Sequence, residues 1–477
     1  MTPMPGRIFL VWCALVISLC NPVQARTFLL GPEEAPGGEL GSLFGGAQTA
    51  LAGGTEGLFS NPAGLAGDPR GQFSAGVGPL GFISLDVGGV SNGGFNGGGG
   101  YLAWSDRLGS GRGPVVPAYG LLVRRHPDQA LEFRLTDSRN RTGEVLPYLL
   151  AGALDVDAMF PGGIAIRESS RGISRVSRTG LGAGLGVALG NWLRLGCQLE
   201  LEWLEVSTAG WMFLDYAAHE TSGTGVENVL QGQSSGFMHW QGASNRLIFS
   251  GGMQIQGESG LGMGLYVRLP SDTLSGTGSL NMFRGDWLAV SSDGSAVHDQ
   301  TAYSRAGGEK LPFRLDSPRQ VRLGFSLKSD WAVITLDLTR TAPQAGYEVL
   351  PGVQGTGSLL GVSRLDSLET SGRGALDYAL GMAFVGGGGN TLVMGLRSRR
   401  ALAPPDDPVF RALDFTSVST GVYHHRKGLS ASLGLGYRFG ETRSMRFSAP
   451  GGYAQEELQQ PVRMEEWSLS LGATLAY

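Results

Sequence analysis

The chain has 477 residues, of which 42% are hydrophobic, 16% are charged and 79 are glycine, with a formal net charge of -4. The excess of 41 acidic over 37 basic residues argues against nucleic acid as a partner. Collagen would need a strict three-residue glycine period, which is absent, and a disordered chain would need fewer aliphatic residues and more charge; small glycines alternating with large apolar residues suit a barrel wall.

Arg7, an apolar run over residues 8–19 and Val23-Gln24-Ala25 together read as a signal peptide, residues 1–25, cut after Ala25. The rival reading, a lipid anchor on Cys20, is disfavoured by Leu19, which stands where lipid attachment wants a small residue. With the leader gone, Cys197 is the one remaining cysteine and an intramolecular disulfide is excluded. No run reaches the roughly 20 apolar residues a helix needs to cross a bilayer, so any crossing is made by strands.

Residues 26–70 do not alternate. They hold Phe28-Leu29-Leu30, the small-residue run Gly45-Gly46-Ala47-Gln48-Thr49-Ala50-Leu51-Ala52, and Leu58-Phe59-Ser60-Asn61-Pro62-Ala63-Gly64-Leu65-Ala66. Asn61 suits an Asx-type turn, and Pro62 fixes φ while giving up a donor; taken alone, Asn-Pro marks a turn.

From residue 71 onward apolar residues recur with period two, which sorts them onto one face of a strand. Leu181, Ala183, Leu185, Val187 and Leu189 alternate with Gly182, Gly184, Gly186 and Ala188. Leu193, Leu195, Cys197, Leu199, Leu201 and Trp203 alternate with Arg194, Gly196, Gln198, Glu200 and Glu202. A soluble sandwich alternates too, so connector lengths carry more weight. Short turns are expected at 125–128, 190–192, 257–260, 328–330, 386–389 and 425–428, and long polar connections at 138–178, 206–244, 271–318, 344–374, 399–409 and 440–465. Short turns alternating with long loops are the pattern of a transmembrane barrel.

The resulting strands are 71–87, 115–125, 129–137, 179–189, 193–205, 245–256, 261–269, 319–327, 331–340, 375–385, 390–398, 410–424, 429–439 and 466–477. That is an even set of about fourteen, as a single-chain outer-membrane barrel requires. Residues 101–105 read as a further strand or as part of a glycine-rich loop over 88–113, where this scheme puts them. The last strand lines up Trp467, Leu469, Leu471, Ala473, Leu475 and Tyr477 and ends on an aromatic, the kind of final strand that barrel insertion machinery reads. Trp192, Trp331, Phe439, Trp467 and Tyr477 lie near strand ends and fit either interfacial girdles or a core. The fold class is thus an all-β, transmembrane, antiparallel β-barrel in a Gram-negative outer membrane.

The Gly-Gly-Ala segment followed by Asn61-Pro62-Ala63-Gly64-Leu65-Ala66, just ahead of the first strand, resembles the outer-membrane transporters for long-chain fatty acids and aromatic hydrocarbons, the FadL/TodX-like family. The strand pair over 321–338 and the late hairpin ending at 433–439 are similar to it as well. The loops between 138 and 310 add nothing to the resemblance, and a related motif occurs in other outer-membrane barrels, including shuttle proteins of a secretion system. Members commonly carry an acidic pair upstream of the motif, where this chain has Gly53-Gly54-Thr55-Glu56-Gly57 with one carboxylate. The resemblance implies a fourteen-stranded barrel, residues 71–477, with residues 26–70 folded inside as a hatch and hydrophobic substrate leaving sideways through a gap in the wall. It implies that Asn61, Pro62 and Ala63 form the hatch signature and that Phe28 lies in the substrate pocket. The partners it implies are a hydrophobic small molecule together with outer-membrane lipid and lipopolysaccharide.

Other chemistry finds little support. The histidines, His126, His219, His239, His298, His424 and His425, lack metal-ligand spacing apart from an adjacent pair whose members face opposite ways on a strand, and they read as solvent-exposed loop residues. No Ser/His or Asp/His set stands out on the strands, no Lys-Ser/Thr follows the glycine tracts, and no cofactor or metal is expected. Arg194, Arg268, Arg322 and Arg438 alternate with apolar positions and are expected to face the lumen, where they either hold a carboxylate head group or pair with other charges in a wet interior. Three functions remain: a transporter of hydrophobic compounds, a secretion-associated or scaffolding barrel, and a general porin or adhesin. A hatch filling the lumen separates the first from the third.

Overall fold

A strand with one apolar and one polar face can turn either towards the barrel's centre, and here the apolar face turns out. Leu181, Leu185, Leu195, Leu199, Phe249, Leu323, Leu433 and Leu471 are exposed, while the alternate positions Gln198, Glu200, Glu202, Arg246, Gln254, Asp337 and Glu466 are buried. In water that arrangement would be ruinous; in a bilayer it is required.

The structure is a computed structural model describing residues 38–68, 70–87, 89–96, 99–108, 115–126, 129–141, 159–162, 164–221, 225–357, 364–365, 367–402, 413–447 and 458–477. Its wall is a closed antiparallel barrel of 14 strands. They are β1 (Gln72–Val87), β2 (Val90–Asn96 continued by Gly100–Arg107), β3 (Val115–Arg125 continued by Gln129–Arg141), β4 (Ile164–Leu189), β5 (Leu193–Thr221), β6 (Glu227–Gln256) and β7 (Leu261–Arg268 continued by Asp272–Ser292). The second half comprises β8 (Ser295–Pro312 continued by Gln320–Lys328), β9 (Ala332–Thr341), β10 (Ala375–Val385), β11 (Asn390–Arg399), β12 (Phe415–Arg426), β13 (Leu429–Phe447) and β14 (Leu458–Ala476). Neighbours pair in sequence order, and β14 closes the ring on β1 with Ala476 opposite Gln72 and Val462 opposite Val87. A hydrogen-bonded ring has no open edge to aggregate or to leave backbone groups unpaired in lipid. Trp192, Trp331 and Tyr477 are exposed at the short-turn end, and Phe439 and Trp467 are exposed farther along the wall.

Two expectations need correction. The turn expected at 125–128 does not separate two strands: both segments of β3 pair with β4, Arg125 opposite Thr179 and Gln129 opposite Val176, so 115–125 and 129–137 belong to one strand. Residues 101–105, assigned above to a loop, lie in β2, where Gly100 pairs with both Val77 and Arg125. The two changes offset, which is why the strand count stands. The long polar connections are also shorter than expected. Residues 164–178, 206–221, 227–244 and 272–312 continue the ladders beyond the membrane. With water outside, their outer face has no need to be apolar, so the hydrophobic alternation that marks a strand weakens there. Their inner face still packs a core, in which Trp240, Leu280, Met282, Phe313, Leu315 and Leu350 are buried.

The turns at the opposite end are tight, as at Ser329, whose backbone N–H donates to the Ala332 carbonyl at 2.8 Å. A peptide tag inserted between Asp293 and Gly294, at the tip of the β7–β8 extension, is expected to be labelled on intact cells, and one at Ser329–Asp330 only after the envelope is opened. The reverse pattern would invert the barrel.

Candidate functional site

Asn61 shows how the N-terminal segment is held. It ends the short helix α2 (Gly57–Ser60) and caps a 3-10 turn over Pro62–Gly67, with Pro62 in the first turn, where a missing N–H costs nothing. Its Oδ1 accepts from the Ala63 backbone at 3.2 Å, the expected Asx geometry. Its Nδ2 donates to the carbonyls of Thr49 at 2.8 Å, Met253 at 3.1 Å and Leu265 at 3.3 Å. One fully buried amide thus ties two parts of the segment to β6 and β7. The wall is shaped to receive it. A Cβ on Gly196 would stand 2.3 Å from the Pro62 carbonyl carbon, and one on Gly252 1.8 Å from Asn61 Oδ1, so the segment comes against the wall where no side chain fits.

A second anchor reaches in from β9. Asp337 accepts from the backbone N–H groups of Gln48 and Thr49, each at 3.0 Å, and from Thr49 Oγ1 at 2.7 Å. From β6, Gln254 Nε2 donates to the carbonyls of Thr49 at 3.2 Å and Ala52 at 3.1 Å. Backbone groups in non-regular chain need such partners when buried, and here the polar inner wall supplies them. Apolar packing does the rest: Leu58 and Leu65 lie against Leu122, Val116 and Ala188, and Leu43 and Phe44 against Ala383 and Val393.

Glu56 organises the start of the segment. Its Oε1 accepts from the backbone N–H groups of Glu39 at 2.6 Å and Leu40 at 3.2 Å, capping helix α1 (Glu39–Leu43) from 17 residues away. Gly38 must be glycine there, with φ of 87° and a Cβ position 2.3 Å from Glu56 Oε2. Glu39 in turn accepts from Thr474 Oγ1 of β14 at 2.5 Å. Burial, reinforced by the Glu39 charge, pushes the Glu56 carboxyl up to about 7 despite its backbone hydrogen bonds. Burial likewise raises Glu39, against the pull of its Thr474 hydrogen bond. The sequence shows one carboxylate beside the motif, and the fold supplies the second from Glu39.

Between this segment and the wall of β1–β3 and β11–β14 lies a cavity of about 190 Å³. Leu43 and Phe59 of the segment face Tyr101 and Phe415 of the wall, with the rings of Phe59 and Tyr101 edge to face at 4.8 Å. Buried polar atoms of its lining residues, among them Tyr101 Oη, His126 Nε2 and Glu39 Oε1, have no hydrogen-bond partner among the described residues. The cavity lies beside the end of a ladder. Gly100 and Arg125 are the last paired residues of the β2–β3 ladder, and among the described residues no ladder joins Val90–Asn96 to Gln129–Arg141. A bulge between Val77 and Leu80 of β1 lies at the same level.

The residues singled out from sequence do not converge. Of the four arginines, Arg438 alone lines the cavity, paired with Glu466 and with its guanidinium 4.7 Å over the Phe415 ring. Arg268 is buried near Arg322, which lies 5.3 Å over Tyr266. Arg194 stands against Gly67 at the short-turn end. Phe28 and the leader fall outside the described residues. His126, expected as an exposed loop residue, is 6% exposed, and its backbone N–H donates to the Arg178 carbonyl at 2.9 Å within the wall. Tyr101 and His126 escaped notice because the strand holding the first, and the pairing of the segments before and after the second with one strand, were misread.

No protein-family model matches the chain, and no curated protein matches it by sequence. Solved structures do match in fold. The CymD monoaromatic hydrocarbon channel is 15% identical with a TM-score of 0.52, the match covering 92% of this chain and 97% of that one. A Pseudomonas aeruginosa FadL homologue is 13% identical with a TM-score of 0.54, covering 94% and 99%. A deltaS2 mutant of the TodX monoaromatic hydrocarbon channel is 15% identical with a TM-score of 0.50, covering 93% and 99%. At such identities the likeness is one of architecture: the chain has the fold of the FadL and TodX-type channels.

Proposed function

We propose that the protein passes small hydrophobic molecules across the outer membrane, with residues 26–70 as a hatch and release through the wall between β2 and β3. The observation that carries this reading is the largely apolar cavity bounded by the N-terminal segment on one side and lying beside the end of a ladder on the other. A hydrophobic molecule gains by moving from a dry pocket straight into hydrocarbon, and sideways exit spares it the polar headgroup layer. An apolar cavity of about 150 Å³ accommodates benzene, so about 190 Å³ has room for a substituted single ring. Tyr101 Oη, His126 Nε2 and Glu39 Oε1 offer one polar substituent its hydrogen bonds.

Cells expressing the protein are expected to accumulate a labelled monoaromatic compound faster than cells lacking it, and Ser470→Phe, which places a ring in the cavity from β14, is expected to remove at least nine-tenths of that gain while leaving a heat-modifiable barrel in the outer-membrane fraction. Equal uptake by wild type and Ser470→Phe would refute the cavity's role, and recovery in the soluble periplasm would refute the barrel reading.

A further inference from the structure

Above the apolar band, the outer faces of β4–β8 carry a second tier of aromatic side chains for which lumenal transport has no use. On β5 the outward series runs Leu195, Leu199 and Trp203, then the polar Glu205 and Ser207, then Trp211 and Phe213. At ~3.3 Å per residue on a strand tilted by ~40°, Trp211 stands roughly 20 Å above Trp203 along the membrane normal. The second tier is therefore beyond hydrocarbon, at the height of the sugars of neighbouring lipids.

Strand register makes the tier a site. Arg171 lies opposite Trp211, Trp211 opposite Phe237, Phe237 opposite Phe283, and Phe283 opposite Arg305. One row across five strands thus reads Arg, Trp, Phe, Phe, Arg. In the next row Phe213 faces Ser235, Ser235 faces Gly285, and Gly285 faces Tyr303, while Trp287 stands two residues beyond Gly285 on the same face. The two small central residues leave a floor walled by rings, since a Cβ on Gly285 would be 3.5 Å from Phe283 Cζ. Trp211 and Phe237 are 5.3 Å apart, and the Arg171 guanidinium lies 5.7 Å from the Trp211 ring centroid. Phe213, Phe283, Trp287 and Tyr303 are 46%, 44%, 40% and 59% exposed.

We propose that this tier binds lipopolysaccharide through the phosphorylated sugars of its core. Flat rings around a small-residue floor match the C–H faces of sugar rings, Ser235 and Gln233 offer hydroxyl and amide groups beside them, and a guanidinium at each end of the row matches phosphate or an acidic sugar. Continuity with the membrane face selects this partner: a lipid whose chains pack on Leu195, Leu199 and Trp203 presents its sugars directly above them, whereas two convex barrel walls meeting here would share little area. The proposal rests on outer-membrane placement and is independent of what the lumen carries.

Full-length protein in detergent, titrated with lipopolysaccharide bearing a complete core and with lipid A alone, tests it. The core-bearing form should bind at least ten-fold tighter. The combined variant Trp211→Ser, Phe237→Ser, Phe283→Ser should lose that difference, keep its lipid A affinity, and still uptake the monoaromatic compound at the wild-type rate from the outer-membrane fraction. Equal affinity for the two lipids, or an unchanged preference in the variant, would overturn the proposal. A wild-type dimer that the variant dissociates would overturn it in favour of a second copy of the chain. Because outer-membrane fractionation and uptake are read separately, failure of the sugar site is distinguishable from failure of the barrel or transport reading.

Discussion

Removal of residues 27–66 is expected to leave a folded, heat-modifiable barrel whose single-channel conductance is several-fold higher and which no longer concentrates a hydrophobic substrate. The wall closes by its own ladders, from β1 on β14 round to β14 again, so it does not need the segment to form. What the deletion removes is the chain seated on Gly196 and Gly252 and the groups hydrogen-bonded to Asp337 and Gln254; water entering the lumen replaces those partners and opens a path for ions. The cavity loses the face supplied by Leu43 and Phe59, and binding goes with it. Point changes at Asn61 should grade the effect. Asn61→Ala with Pro62→Ala loosens the segment without removing it. Asn61→Asp should be worse than Ala, because a carboxylate oxygen would replace the donor that now faces the carbonyls of Thr49, Met253 and Leu265, and an anion set against buried acceptors costs more than a lost hydrogen bond of about 1 kcal/mol. Conductance in planar bilayers and cellular uptake measure both. Unchanged conductance in the deletion would mean that the segment obstructs nothing, and the scaffolding reading would replace transport.

Strands within the apolar band were legible because lipid on one side and polar lumen on the other force strict alternation, as in 193–203. Outside the band that pressure ends. The extensions over 206–221 and 227–244 carry Ser, Gly and Gln on faces exposed to water and therefore read as loops, although their backbone ladder continues unbroken. The β3 error has a similar cause. His126-Pro127 looks like a turn, and local chemistry cannot reveal that the segments before and after it both pair with β4. The motif Asn61-Pro62-Ala63 was visible, yet the partners that give it meaning lie about 190 and 200 residues away in Met253 and Leu265. The cavity was the least legible feature. Its lining joins the N-terminal segment to β1–β3 and to the last four strands, and only closure of the barrel brings those together. The arginines failed as a guide for the opposite reason: period two predicts that they face inward but says nothing of the height at which each one sits.

The N-terminal segment is expected to loosen as pH rises from 5 to 8, and Glu56→Gln to weaken that dependence. Two opposing effects act on the Glu56 carboxyl: its Oε1 accepts two backbone N–H groups at the start of α1, which favours the carboxylate, while burial beside Glu39 favours the acid and wins, giving about 7 against an ordinary 4.5. A carboxyl whose folded value is raised binds its proton more tightly in the closed segment than in the open one. Its contribution is therefore fully present below about 4.5 and is lost as pH climbs through about 7. The shift corresponds to a loss on the order of 3 kcal/mol across that window. Glutamine keeps an acceptor for the Glu39 and Leu40 N–H groups and has no proton to lose. Single-channel records of the purified barrel at pH 5, 6, 7 and 8 provide the measurement. The wild type should spend a growing fraction of time in the high-conductance level that the deletion shows permanently, while Glu56→Gln should show a smaller rise, left to Glu39. If both proteins follow the same pH profile, some group other than Glu56 governs the segment's closure.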